Sequence, residues 1–391
     1  MKLWQKNYKL NEQVEDFIVG DDYILDQKLV RYDCTASIAH AKMLGRIGIL
    51  ETEEVQKLVK VLDELIELDK AGKFKISKEQ EDVHTAIEEY LTKKLGDLGK
   101  KIHTARSRND QVLTALRLYY REELTDCKKL VQDFVAVMKK FVRKYGRTRL
   151  PGYTHSRKAM PSSISMWGNS FVNSMQDNLK AIDFALGLID QSPLGTGAGY
   201  GVPLVIDRAY TAELLGFRKV QRNPIYAQNS RGKFESTILH ALTQIMFDLN
   251  KMASDLVIFT MPEFGYFELP REFCTGSSIM PQKQNPDVLE LLRANYHVVV
   301  SHEFQVKNII GNLMSGYNRD LQLTKEPMMR GLEITKKSLS VTNLILESLK
   351  VNKENCNKAL TKDIYATEEV YELVRQGVPF REAYKTISQK Y

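Results

Sequence analysis

Four short segments of this 391-residue chain gather side chains suited to an anionic substrate. The densest is GSSIMPQKQNP, Gly276 to Pro286. Ser277 and Ser278 supply oxygens able to act as nucleophile or base, and Lys283 supplies a positive charge. Gly276 gives the backbone freedom to turn. Asn285 followed by Pro286 reads as a helix N-cap and first helical residue, with Asp287 in the first turn. The spacing predicts a mobile loop ending on the positive end of a helix, a setting for carboxylates; an ordinary Gly/Ser turn fits the same letters. TARSRNDQV, Thr104 to Val112, offers Arg106 and Arg108 as bidentate carboxylate ligands and Asn109 as donor and acceptor, against a plain helix cap. PGYTHS, Pro151 to Ser156, offers His155 after a proline-glycine turn and ahead of another helix, where a lone histidine is more often structural. Glu290, one turn past Pro286, can hold a histidine in one tautomer and raise its basicity, or simply face solvent. SGYNRDLQLTKEP, Ser315 to Pro327, carries Tyr317, Arg319, Asp320, Gln322 and Lys325, and reads equally as an interhelical loop. His84 and Glu88 in EDVHTAIEEYL are four apart, but no HExxH or third ligand accompanies them, so no metal site is expected.

The elements that must position these residues are long helices. From Thr52, a plausible N-cap, TEEVQKLVKVLDELIEL places Val55, Leu58, Val59, Leu62, Leu65 and Ile66 on one face. A second pattern runs from about Asp110 to Tyr145, with Leu113, Leu116, Leu130, Phe134, Val137, Met138 and Phe141 as its apolar positions. Others run from about Met160 to Ile189, Gln228 to Met261, Pro286 to Ile310 and Glu326 to Leu349. Proline and glycine concentrate between them. Strand signals are few; Leu204-Val205-Ile206 is the candidate. The predicted class is all-α: an elongated central long-helix bundle with smaller helical N- and C-terminal domains. The expected division is 1–103, 104–350 and 351–391. Each helix carries more apolar surface than one slender bundle covers, which predicts burial against other subunits.

Composition narrows the partners. Net charge is +7, spread as scattered pairs such as Lys93-Lys94 and Lys336-Lys337. With no basic run, nucleic acid is not expected, and anionic small molecules suit the balance better. Cys34, Cys127, Cys274 and Cys356 lie far apart and read as reduced thiols of a cytoplasmic protein. Cys274 reads as a small buried residue rather than a nucleophile. The N-terminus MKLWQKNYKLNEQVEDF lacks the apolar core of a signal peptide, and no stretch reaches the ~20 apolar residues of a membrane span.

GSSIMPQKQNP resembles the signature GSSxMPxKxNP of the fumarase/aspartase superfamily at every fixed position. Taken together the segments resemble the argininosuccinate lyase family. TARSRNDQV is similar to its GRSRNDQV, with Ala105 for the usual glycine. PGYTHS is similar to GYTHLQ, and Gln282 separates the loop from fumarases and adenylosuccinate lyases. SPLGTGAGYGVPLVIDR, KLGDLGKKIHTARSRND and GVPFREAY match as well, so the resemblance covers nearly the whole chain. It implies a fumarase/aspartase-like fold and cleavage of argininosuccinate to arginine and fumarate. It also implies Ser277 as base, His155 paired with Glu290 as a second catalytic group, and Lys283 as stabiliser of developing charge. Substrate contacts would come from Arg108, Asn109, Thr154, Asn285, Tyr317, Gln322 and Lys325. The assembly would be a homotetramer with each site built from three subunits. No metal or organic cofactor is implied. Two other readings are a lyase of another succinyl-amine adduct and a non-catalytic crystallin-like relative.

The chemistry agrees with these residue types. Elimination removes a weakly acidic proton beside a carboxylate, and the aci-carboxylate that forms needs donors waiting for it. A serine becomes a base there only if the loop's amides and Lys283 stabilise its alkoxide. Three departures stand out. Arg157 in THSRKAMP stands where family members usually have the glutamine after THL. Asp22 falls at or beside a serine the family uses. The chain ends at Tyr391, soon after GVPFREAY, where relatives usually continue for several tens of residues.

Overall fold

The structure is a computed structural model that describes residues 10–391; the N-terminal stretch read above as lacking an apolar core begins in the nine residues outside that range. Helices dominate. The long patterns become helices Thr52–Lys70, Arg108–Tyr145, Ile164–Ile189, Lys233–Phe259, Asp287–Ile309 and Lys325–Ser348. None of the described helices is long and apolar enough to cross a membrane. By Cα proximity the chain falls into two units, each drawn from three stretches.

The first unit comprises the described residues up to Asp126, Ile182–His240 and Ser301–Leu332. Its core includes Leu58, Leu62 and Leu65 on the predicted face of the Thr52–Lys70 helix, together with Leu44, Leu91, Leu113 and Leu116. That helix opens one residue earlier than expected, on a capping box between Glu51 and Glu54. The expected helix from Gln228 is interrupted: Pro224–Asn229 forms a short helix and Lys233–Phe259 the long one. Gly232 sits between them at φ +79°, where a Cβ would come within 2.1 Å of Ile310 Cγ2. Only glycine tolerates both the backbone and the contact. Leu204-Val205-Ile206 forms no strand; Val205 is 92% exposed and has no neighbouring edge to pair with.

The second unit comprises Cys127–Ala181, Ala241–Val300 and Glu333–Tyr391. An antiparallel hairpin, Arg149–Thr154 with Arg157–Ser163, stands where a helix was expected to begin near Met160. Ladder pairing wins there, and the helix waits until Ile164, past Pro161. A ring cluster of Phe141, Trp167, Phe259 and Phe267 packs in this unit. The chain closes with helices Ala366–Arg375 and Phe380–Ser388, whose small core is Val370, Ala383 and Ile387 with Leu373, Val374 and Val378 against it.

Candidate active site

In the first unit, stretches far apart in sequence line one cavity of about 200 Å³: Asp22 and Asp26, Asp82 and His84, Arg108, Asn109 and Val112, Arg231, and Tyr317, Arg319, Gln322 and Lys325. Arg108 opens the Arg108–Tyr145 helix, and its start is held in place by a carboxylate. Asp110 Oδ1 accepts the Ser107 N–H, and Oδ2 accepts the N–H groups of Gly195 and Gly197, each at 2.9 Å. Burial pushes the Asp110 carboxyl up to about 6 despite those three donors. Asp82 caps the Val83–Leu95 helix by accepting the Thr85 N–H at 2.8 Å, and also pairs with Arg108. Glu81 lies 3.3 Å from Arg108 and 2.8 Å from Arg319. Burial works against the Arg108 charge, but Asp82 and Glu81 outweigh it and raise its pKa.

Lys325 opens the helix Lys325–Ser348 with its ammonium fully inside the protein. Its Nζ lies 2.6 Å from Asp22 Oδ1 and 2.6 Å from Asp26 Oδ1. Burial alone would discharge this lysine; the two carboxylates hold its pKa above the ordinary value. Asp22 is pushed up to about 6 by burial, with Lys325 opposing and Asp26 reinforcing. Gln322 Nε2 donates to the carbonyls of Ile18 and Val19 at 3.1 and 3.3 Å. The buried His84 pairs through Nδ1 with Asp33, which together with Asp82 raises its pKa against the cost of burial. Glu88 instead faces His103 Nδ1 at 3.2 Å, so His84 and Glu88 do not converge.

The second unit holds the other candidates. Thr154 and Arg157 pair across the hairpin, leaving His155 and Ser156 as a two-residue turn with φ +50° and +58°. Positive φ at both central positions is the type I′ signature, usually met by Asn-Gly. His155 is thus presented at an exposed tip rather than ahead of a helix. Tyr153 anchors the strand through a 2.7 Å contact between its hydroxyl and that of Tyr266.

The signature loop is closed by backbone bonds between Thr275 and Asn285, at 3.0 and 2.8 Å. Inside it, Ser277 Oγ accepts the N–H groups of Ile279 and Met280, at 3.3 and 3.1 Å. Lys283 is exposed. Asn285 is not the helix cap: its amide donates to the Gly276 carbonyl at 3.2 Å, and its backbone is committed to Thr275. The helix begins at Asp287, with the Pro286 carbonyl accepting the Leu289 and Glu290 N–H groups. Glu290 is exposed, and among the described residues it makes no hydrogen bond or ion pair with His155. The half-buried Cys274 thiol is pushed up by burial, away from a nucleophile's thiolate.

Arg108, Asn109, Tyr317, Gln322 and Lys325 therefore share one cavity. Arg106, grouped with Arg108 in the sequence, is instead buried and donates to Ser37 Oγ at 2.8 Å. Asp26 and Arg231 escaped sequence reasoning; neither stands in a segment whose pattern signals chemistry. Ala105 lies at φ +59°, which accounts for the glycine its relatives usually carry there.

The model of the Lyase family matches residues 12–301. The argininosuccinate lyase of Thermotoga neapolitana is 51% identical over 390 residues, covering 100% of this chain and 98% of that relative. The argininosuccinate lyase of Sorangium cellulosum is 42% identical, covering 99% of this chain and 90% of the relative. A crystal structure of EDDS lyase in complex with formate superposes with a TM-score of 0.81 at 23% identity, covering 97% of this chain and 76% of that one, a likeness of fold. Fold and signature loop together are those of a lyase. The chain belongs to the argininosuccinate lyase family.

Proposed function

We propose that this chain catalyses the reversible β-elimination of argininosuccinate to L-arginine and fumarate, in the cytoplasm, as a step of arginine biosynthesis. The observation that carries the reading is the Ser277 loop, in a chain 51% identical to an argininosuccinate lyase. Two amides already directed at Ser277 Oγ favour its anionic form, the first requirement of a serine base. In the proposed reaction that base takes the proton beside a succinyl carboxylate. The electron pair moves into the carboxylate as an aci-anion, which Lys283 and Asn285 stabilise. The C–N bond then breaks, the carbon-carbon double bond of fumarate forms, and the guanidino nitrogen leaves as it gains a proton. His155, supported by Glu290, supplies that proton directly or through water. Thr154 joins Arg108, Asn109, Tyr317, Gln322 and Lys325 as substrate contacts.

The proposed assembly is a homotetramer with each site built from three subunits. Large apolar side chains exposed on the long helices support it, among them Met166, Phe184, Phe247, Leu291 and Phe304. The absence of a His155–Glu290 contact within the chain fits a pairing made between subunits.

Fumarate release, followed by its ultraviolet absorbance, tests the reading with argininosuccinate against adenylosuccinate, malate and aspartate. Release from argininosuccinate is expected. Activity confined to another substrate would overturn the assignment. Ser277→Ala is expected to abolish turnover while the oligomer survives; near-normal turnover would remove serine from the mechanism.

A further inference from the structure

The start of the Arg108–Tyr145 helix is closed by its own residues. Ser107 Oγ accepts the Asn109 N–H at 3.2 Å, and Asp110 Oδ1 accepts the Ser107 N–H at 2.9 Å, a reciprocal cap of the capping-box kind. Asp110 Oδ2 has no part in that cap. It takes two further donors instead, the N–H groups of Gly195 and Gly197, inside the protein. Nearby cations do not explain the buried charge. Arg106 donates to Ser37 Oγ, and Arg208 to the carbonyls of Leu194, Gln221 and Arg222, so both act on Asp110 only through space. A buried carboxylate without an ion pair is costly unless fixed donors receive it. The turn 194–201 fixes them. Its glycines at 195, 197, 199 and 201 all lie at positive φ, and a Cβ on Gly197 would come within 2.8 Å of the Gly201 carbonyl oxygen. The same turn meets the opposite wall of the cavity. A Cβ on Gly199 would stand 2.8 Å from Gln228 Cγ, and the Tyr200 hydroxyl lies 3.4 Å from where a Cβ on Gly316 would stand. Gly316 donates its N–H to Asn229 Oδ1 at 2.8 Å, and Tyr317 follows it directly.

We propose that Asp110 is a positioning residue: through Oδ2 it ties the helix start that carries Arg108 and Asn109 to the turn 194–201, and so fixes the spacing of those two side chains from Tyr317 across the cavity. This rests on the reading of the chain as an argininosuccinate lyase with Arg108, Asn109 and Tyr317 as substrate contacts. Asp110 does not line the cavity, so it acts on the substrate only through its neighbours. Oδ1 alone would serve the cap; the second oxygen serves the register between two walls drawn from distant parts of the sequence.

Asp110→Asn separates the tie from the cap. Its one oxygen can still accept from Ser107, while its NH₂ then faces the Gly195 and Gly197 N–H groups, donor against donor. Gly197→Ala disturbs the tie from the turn's side and leaves the carboxylate in place. Fumarate release from argininosuccinate by the full chain is measured for both. Each is expected to lower kcat/KM by about 10- to 100-fold, the cost of an ångström-scale misplacement. The loss should fall mainly on KM, because the displaced contacts hold substrate and transition state alike. The deciding measurement is a double-mutant cycle with Asn109→Ala. With that contact already gone, the loss caused by Asp110→Asn should shrink by about 5-fold or more. If Asp110→Asn does not fold, the cycle is run with Gly197→Ala. An undiminished loss in the Asn109→Ala background overturns the proposal. So does an unmoved KM with lower turnover per chain, which a merely structural carboxylate would give by reducing the folded fraction. A parent chain that releases no fumarate overturns the functional reading, while a working parent whose variants keep the parental KM overturns only the role of Asp110.

Discussion

Ser277, the proposed base, illustrates how a backbone turn can favour the anion of a weak acid. A hydroxyl that accepts two backbone N–H groups is polarised toward its anion before any substrate arrives. Ala105 illustrates the opposite, a residue that strains its position. At φ +59° it occupies the left-handed region, which costs an alanine about 1–2 kcal/mol. Glycine removes that strain but gains roughly 0.4–1 kcal/mol of chain entropy in the unfolded state. Ala105→Gly is therefore expected to stabilise the protein by up to about 1.6 kcal/mol, read as a higher denaturation midpoint. A lower midpoint would show that the strain is absent. The departure at Ala105 was legible in the sequence only as a mismatch with relatives; the dihedral supplies its physical meaning. Arg108, Asn109 and Lys325 were legible because each sits in a dense polar segment. Arg231 and Asp26 were not, because their importance arises only when stretches some 200 residues apart in sequence meet around one cavity.

At the scale of elements, the long helices were readable from apolar periodicity to within a few residues. The Arg149–Ser163 hairpin was not. Its sequence contains two prolines, a glycine and little regular alternation, so no period-2 signal announces it, and register is set by the His155-Ser156 turn and an irregularity at Pro151/Tyr153. Under the proposed mechanism His155 answers two demands, tolerance of positive φ and supply of an imidazole. Asparagine meets the first and not the second. His155→Asn should keep the free energy of unfolding within about 0.5 kcal/mol of the parent while cutting turnover by about 10²–10⁴-fold, the usual worth of a general acid or base. His155→Val adds a β-branched side chain where φ is positive, and should lower the midpoint as well. Retained turnover in the asparagine variant would limit this histidine to shaping the turn.

At the scale of the whole molecule, the question is how many chains make a site. His155 and Glu290 both belong to the second unit, yet they share no hydrogen bond or ion pair among the described residues, and each stands exposed. Exposed apolar residues on the long helices give the chain surfaces to bury against copies of itself. If Ser277 and His155 of one site come from different subunits, two inactive variants can repair each other. Ser277→Ala chains still supply His155, and His155→Asn chains still supply Ser277. After random exchange at equal ratio, a site is complete when each of its two positions is filled by the chain that kept that residue. The chance is one half for each, so about a quarter of parental fumarate release is expected from a closed symmetric oligomer. No recovery after subunit exchange has been demonstrated would place both residues of each site on the same chain.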